Sequence, residues 1–295
     1  MILYNPKDWY KAFVGFHRSG LLVKLWPSLL FIGGYAFAMV FLEKSYWKLS
    51  VDSPLKNVII MHTLLGFAIS MLLVFRTNTA YDRWWEGRKL WGSLTNNSRN
   101  LALKLNAFLF TNDIVNRQFY IATIQLFAME LKAHLLRETT RLALDTHVHP
   151  EIPAFDSNKH VPLQVATLLW SKTHALHQKN ILSDTQLLMI NAELQSFMDI
   201  CGACERIKNT PIPFGYSAFI KKFILIYVIT LPVSLAFTVG YFTIPITVII
   251  FYVLTSLELV AEEIEDPFGN DSNDLPMHKM AENIGQNVAD IFTVK

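Results

Sequence analysis

Three stretches of this chain carry no Asp, Glu, Lys or Arg: Leu25–Leu42 (18 residues), Asn57–Phe75 (19) and Phe223–Leu257 (35). A bilayer core takes about 20 apolar residues per helix, with a lower limit near 17. A soluble fold scatters its apolar residues in periodic patterns, and here they are concentrated. Hydrophobic residues make up 52% of the chain and charged residues 17%, against roughly 25% charged in soluble domains. These features argue against disorder, collagen and an ordinary cytosolic enzyme. Cys201 and Cys204 do not make a disulfide framework. A formal net charge of +2 gives no reason to invoke nucleic acid.

Five segments follow along the chain. Residues 1–24 read as an amphipathic stretch at the membrane surface rather than a cleavable signal. Lys7, Asp8, Lys11, Arg18 and Lys24 surround Trp9, Tyr10, Phe13 and Phe16. Residues 25–95 hold two spans. Trp26-Pro27 opens the first, and Glu43, Lys44 and Lys48 close it. The second starts after Pro54, and no proline stops it between Arg76 and Leu94. The pattern therefore predicts one long helix, half in lipid and half in water.

Residues 96–216 read as a helical cytoplasmic domain, its first helix beginning around Leu101, Leu103, Leu105 and Phe108. Further helices are predicted over Asn116–Leu144, Leu163–Gln178 and from a Ser183 cap to about Lys208. Residues 217–260 are too long for one crossing and divide into two spans near Gly240. Residues 261–295 read as an acidic tail. Four crossings put both termini on one side, and Arg76, Arg83, Arg88, Lys89, Lys221 and Lys222 make that side cytoplasmic.

Phe67, Met71 and Phe75 are spaced i, i+4, i+8 and share one helix face. Several copies of such a helix around an axis would form stacked apolar rings, a constriction that gates by dewetting. The same spacing also suits a lipid-facing or packed stripe. Cys201 and Cys204 have redox spacing on a helix, or serve as small packing residues. Asp145, His147, His149 and Glu151 offer metal donors in a loop, or form a solvated turn. His62, inside the second span, marks an ion path or is a packed, hydrogen-bonded histidine. Glu258, Glu262, Glu263, Glu265, Asp266, Asp271 and Asp274 concentrate negative charge. They suit calcium, or an acidic loop that pairs with Arg and Lys elsewhere. No catalytic constellation is present in the sequence.

Three motifs go beyond generic physics. Phe75-Arg-Thr-Asn-Thr-Ala-Tyr-Asp-Arg-Trp-Trp-Glu-Gly-Arg-Lys-Leu-Trp-Gly92 follows the second span. Cys204-Glu-Arg-Ile-Lys-Asn-Thr-Pro-Ile-Pro-Phe-Gly-Tyr216 precedes the third. Ala261-Glu-Glu-Ile-Glu-Asp-Pro-Phe-Gly-Asn-Asp-Ser-Asn-Asp-Leu-Pro276 follows the fourth. In this order, over nearly the whole chain, they resemble a bacterial member of the bestrophin family.

The resemblance implies an all-α membrane protein with four transmembrane helices per subunit and a helical cytoplasmic domain, assembled as a homopentameric channel. The family's neck is formed by three apolar residues of the second span, from just after its Gly to just before the Arg of the Phe-Arg motif. Those positions are Phe67, Met71 and Phe75. The family's aperture at the cytoplasmic exit maps to Thr185, where close relatives have an aliphatic side chain. A hydroxyl there makes a less dewetted exit. Eukaryotic members build a calcium clasp from the third motif, and the matching positions are Glu263, Asp266, Asp271 and Asp274. Here the acidic run after the Gly is broken into Asn-Asp-Ser-Asn-Asp, a departure from the clasp. No cofactor is required by this reading.

The expected function is passive conduction of monovalent ions through the apolar neck, in a bacterial inner membrane, with copies of the chain and lipid as partners. Ring faces would favour cations and ring edges anions, so the residues alone do not assign the sign. The alternative is a membrane-anchored redox or metal-binding enzyme using Cys201 and Cys204 or the His147/His149 loop.

Overall fold

The computed structural model describes residues 20–47, 58–136, 155–156 and 159–293. Among these residues all regular structure is helical and there is no strand. The α-helices are α1 (Leu21–Phe41), α2 (Val58–Phe108), α3 (Ile114–Leu136), α4 (Val161–Gln178), α5 (Asp184–Asn209), α6 (Phe214–Val239), α7 (Thr243–Glu265) and α8 (Met277–Thr293). Lipid offers no partners to backbone N–H and C=O groups, so long apolar runs satisfy them within the helix. Most of residues 1–24, expected to form an amphipathic stretch, residues 48–57, and the candidate donors Asp145, His147, His149 and Glu151 lie outside the described residues.

One compact unit comprises residues 2–82 and 211–265, hence α1, the first part of α2, α6 and α7. Its buried core includes Ile32, Ile69, Leu73, Ile220, Ile224, Val228 and Phe251. Helix α1 packs on α6 and α7, and α6 packs on α7. A single 3₁₀ turn, Gly240–Phe242, joins α6 to α7. Gly240 has φ +60°, a conformation that side chains with a Cβ rarely adopt. A Cβ there would also stand 2.6 Å from Lys44 Nζ, but that is the tip of a flexible side chain that can move aside, so the backbone conformation is what calls for glycine.

The other unit includes residues 83–210 and 266–295. Trp91, Leu94, Phe127, Leu131, Phe197 and Ile284 are among its buried residues. Phe127 and Phe197 meet edge to face at 4.8 Å, a favoured aromatic geometry. Tyr120 and Thr173 share a buried hydroxyl hydrogen bond of 2.9 Å. Ser183 accepts from the Gln186 amide while the Gln186 side chain accepts from Ser183 N–H, a complete capping box at the start of α5.

Two features differ from the sequence reading. The helix expected to begin near Leu101 is the last part of α2, which runs unbroken for 51 residues. Thr95-Asn96-Asn97-Ser98 looks like a polar break. Yet Thr95 donates back to the Trp91 carbonyl and Ser98 is buried, so the helix absorbs them. The tail expected to be merely acidic contains α8. Met277, Ala281, Ile284, Val288 and Phe292 are spaced at helical period and form its buried side. Helix α8 packs against α3.

The three sequence motifs meet within this second unit. Arg83 donates to the Thr210 and Ile207 carbonyls, the latter at 2.6 Å. Trp84 Nε1 donates to the Asn273 carbonyl at 3.0 Å. Lys208 pairs with Asp266 at 2.5 Å. Gly87 lies against the Asp-Pro-Phe-Gly segment, where a Cβ would be 3.1 Å from both Pro267 Cγ and Phe268 Cζ. Two ring systems cannot yield as a flexible chain would, and Phe268 is fully buried. Gly87→Val should therefore destabilise the protein by about 1–3 kcal/mol, the usual cost of overpacking. Thermal unfolding of purified protein in detergent reads this out, and an unchanged midpoint would refute the packing role.

Candidate conduction site

Successive residues of an α-helix are about 100° apart. On that wheel His62, Ile69, Leu73, Arg76 and Ala80 form the buried side of α2. Phe67, Met71 and Phe75 lie on the opposite side and are 72%, 50% and 52% exposed. The exposed row extends toward the start of the helix through Ile60 and Leu64. Sequence reasoning missed those two, although their spacing from Phe67 follows the same 3–4 rhythm. Hydroxyl groups along this part of α2 turn back to the helix: Ser70 to Gly66 O at 2.7 Å, and Thr79 to Phe75 O at 2.9 Å. The row is thus uniformly apolar at its surface.

The buried side holds the polar contacts that orient the helix. Arg76, directly after Phe75, has no solvent exposure. Its Nη2 pairs with Glu265 Oε2 at 2.7 Å and donates to Ser217 Oγ at 3.3 Å, and its Nε stands 3.5 Å from Glu258 Oε1. One guanidinium thereby ties α2 to α6 and α7. Glu265 also accepts from the Ile212 amide at 2.7 Å. Sequence reasoning used Arg76 as a basic flank and as part of the first motif but gave it no partner, because nothing local to Phe75-Arg76 points to residues in α7. His62 is likewise buried. Its Nε2 is 3.0 Å from Thr230 Oγ1 and its Nδ1 is 3.1 Å from Val58 O, so it is a packed, hydrogen-bonded histidine. Gly66 leaves room for the Tyr227 hydroxyl, 3.0 Å from where a Cβ would stand.

The other sequence candidates fall as follows. Thr185 is exposed in the first turn of α5, two residues after the Ser183 cap. Glu263 pairs with Lys24 at 2.9 Å and Asp266 with Lys208. Asp274 Oδ2 accepts the Asp271 amide at 2.5 Å, which closes the loop between α7 and α8 on itself. Much of the acidic run is therefore engaged with Lys, Arg or backbone. Cys201 and Cys204 are buried, free thiols on α5. Burial, reinforced by the Glu205 carboxylate, pushes both up to about 12, which leaves them protonated and poorly nucleophilic. Among the described residues, the set of metal-donor side chains within reach of one another is His134, His160 and Glu205, none of which sequence reasoning singled out.

Comparison with known proteins is consistent throughout. The family model described as bacterial/fungal bestrophin protein matches residues 1–290. A voltage-dependent anion channel-forming protein of Nostoc sp. is 34% identical over 251 residues, covering 84% of this chain and 80% of the relative. A protein of the same description from Escherichia coli K12 is 31% identical over 280 residues, covering 94% and 89%. Among solved structures, a mutant of a bacterial bestrophin homolog from Klebsiella pneumoniae has a TM-score of 0.80 at 25% identity, covering 94% of this chain and 100% of that one.

Removing one partner from a buried ion pair leaves an uncompensated charge and costs about 3–5 kcal/mol. Arg76→Met should lower stability by that order, and adding Glu258→Leu should restore part of it. Thermal unfolding of the single and double variants measures the coupling. Strict additivity would show that Arg76 and Glu258 do not act together.

Proposed function

This chain belongs to the bacterial and fungal bestrophin family, and on that premise we propose that it is a passive, homopentameric anion channel of a bacterial inner membrane. The observation that carries the reading is the exposed apolar row Phe67, Met71 and Phe75, opposite a side of α2 anchored by a buried arginine. In a monomer such a row is waste surface. Around a shared axis it becomes three stacked rings that exclude bulk water and leave only a narrow passage. Ions shed part of their hydration there, and the positive edges of Phe67 and Phe75 compensate an anion. The names of the Nostoc and Escherichia coli relatives support the anion assignment.

In this reading α1, the first part of α2, α6 and α7 are the four crossings. The helical stretches Leu21–Tyr46, Val58–Phe108 and Phe214–Glu265 are long and apolar enough to cross a membrane, and the 3₁₀ turn Gly240–Phe242 divides the last into α6 and α7. Both termini, the second part of α2 and α3–α5 are cytoplasmic. Thr185 lines the exit and, being polar, leaves it hydrated. Conduction needs no cofactor. The engagement of Asp266 with Lys208 and of Glu263 with Lys24 supports a channel that opens without calcium. The redox alternative has no support from thiols held buried and protonated.

Purified full-length protein in planar bilayers under a chloride gradient should reverse near the chloride equilibrium potential. Reversal at the cation potential would sink the anion assignment. Silence from well-folded oligomer would sink the channel. Met71→Ala should widen the middle ring and raise single-channel conductance, and unchanged conductance would remove Met71 from the neck. Thr185→Ile should dry the exit and lower conductance; an unaltered current would place the exit elsewhere.

A further inference from the structure

His134 lies near the end of α3, His160 is the residue before α4, and Glu205 sits late in α5. Three separate elements of one unit thus send a nitrogen or oxygen donor to one point. His134 Nε2 is 2.6 Å from Glu205 Oε1, and His160 Nε2 is 2.5 Å from the same oxygen. The two imidazole rings are tilted against each other with centroids 4.5 Å apart. The three donor atoms all lie within 4.8 Å of one another. Each side chain keeps roughly a third of its surface open, 34%, 31% and 28%, so an ion has a route in.

We propose that His134, His160 and Glu205 form a binding site for a divalent transition-metal ion of the zinc class. Two neutral imidazoles and one carboxylate are the donor set that zinc takes when a fourth position is left to water. Calcium and magnesium prefer all-oxygen shells, which this site does not provide. Zinc–nitrogen and zinc–oxygen bonds near 2.0–2.1 Å put tetrahedral donors about 3.3 Å apart. The two nitrogen–oxygen distances here are shorter because hydrogen bonds hold them, and each needs to open by less than about 1 Å.

Glu205 Oε1 already receives both imidazole rings, so the carboxylate stands where the ion would sit between them.

One local bond opposes the ion. His160 Nδ1 accepts the Leu163 amide as the cap of α4, at 3.0 Å. That bond leaves the ring proton on Nε2, where it is donated to Glu205. A metal on Nε2 moves this proton to Nδ1 and releases the Leu163 amide. Binding therefore exchanges a helix cap for a tie between α3, α4 and α5, and is weaker than at a preformed site.

The test uses the full chain, purified in detergent with affinity tags removed and metals stripped by chelator. Zinc chloride is titrated by calorimetry and cobalt chloride by visible absorption. Wild type should take one zinc per chain more than His134→Ala and Glu205→Gln, and give a tetrahedral cobalt spectrum that both variants lack. The double variant His174→Ala/His278→Ala removes exposed imidazoles elsewhere and should keep both signals. Zinc should raise the thermal midpoint of wild type and not of the site variants. Should a variant misfold, as judged by helicity and elution volume, His134→Gln replaces it. Equal zinc uptake by wild type and site variants, or no uptake by wild type, overturns the proposal.

Discussion

A guanidinium cut off from water decides how α2 is rotated. Burying an unpaired charge is prohibitively costly, so Arg76 must keep the carboxylates of Glu258 and Glu265 and the Ser217 hydroxyl on its side of the helix. With that side pinned inward, helical geometry leaves Phe67, Met71 and Phe75 on the opposite surface. The apolar row is thus a consequence of where the charge is satisfied. No local preference of the phenylalanines themselves would fix it, since they would pack equally well inside.

The helical class and the length of the apolar runs were readable because they depend on composition over twenty-residue windows. The row at Phe67, Met71 and Phe75 was readable because it repeats at helical period, and the resemblance then gave it a role. What escaped the sequence depends on contacts between distant residues. Arg76 reads as one more basic flank until Glu258 and Glu265 are seen beside it. His134 and His160 lie 71 and 45 residues from Glu205, whereas His147 and His149 drew notice through mere adjacency. Helix α8 was missed for another reason: the acidic loop before it dominated the composition, and its six buried positions are diluted among polar ones.

The three motifs that carry the family resemblance do structural work. In one unit they interlock through Arg83, Trp84, Gly87, Lys208, Asp266 and Phe268. In the other they supply Arg76 and Glu265, which meet Ser217 and Glu258 just outside the motifs. Glycine at 87 and the proline and phenylalanine it meets form one packing unit, in which a larger residue at 87 would collide with both rings.

The spacing of Phe67, Met71 and Phe75 also dictates a geometry. Rows of residues four apart run at about 26° to a helix axis. Helices that point such a row at a common centre must therefore lean by a similar amount. Leaning rods gathered round a line approach it closest at one height and diverge above and below. On the proposed assembly the tight passage is consequently a short waist, and the wider spaces on either side follow from the slant without any residue having to carve them out.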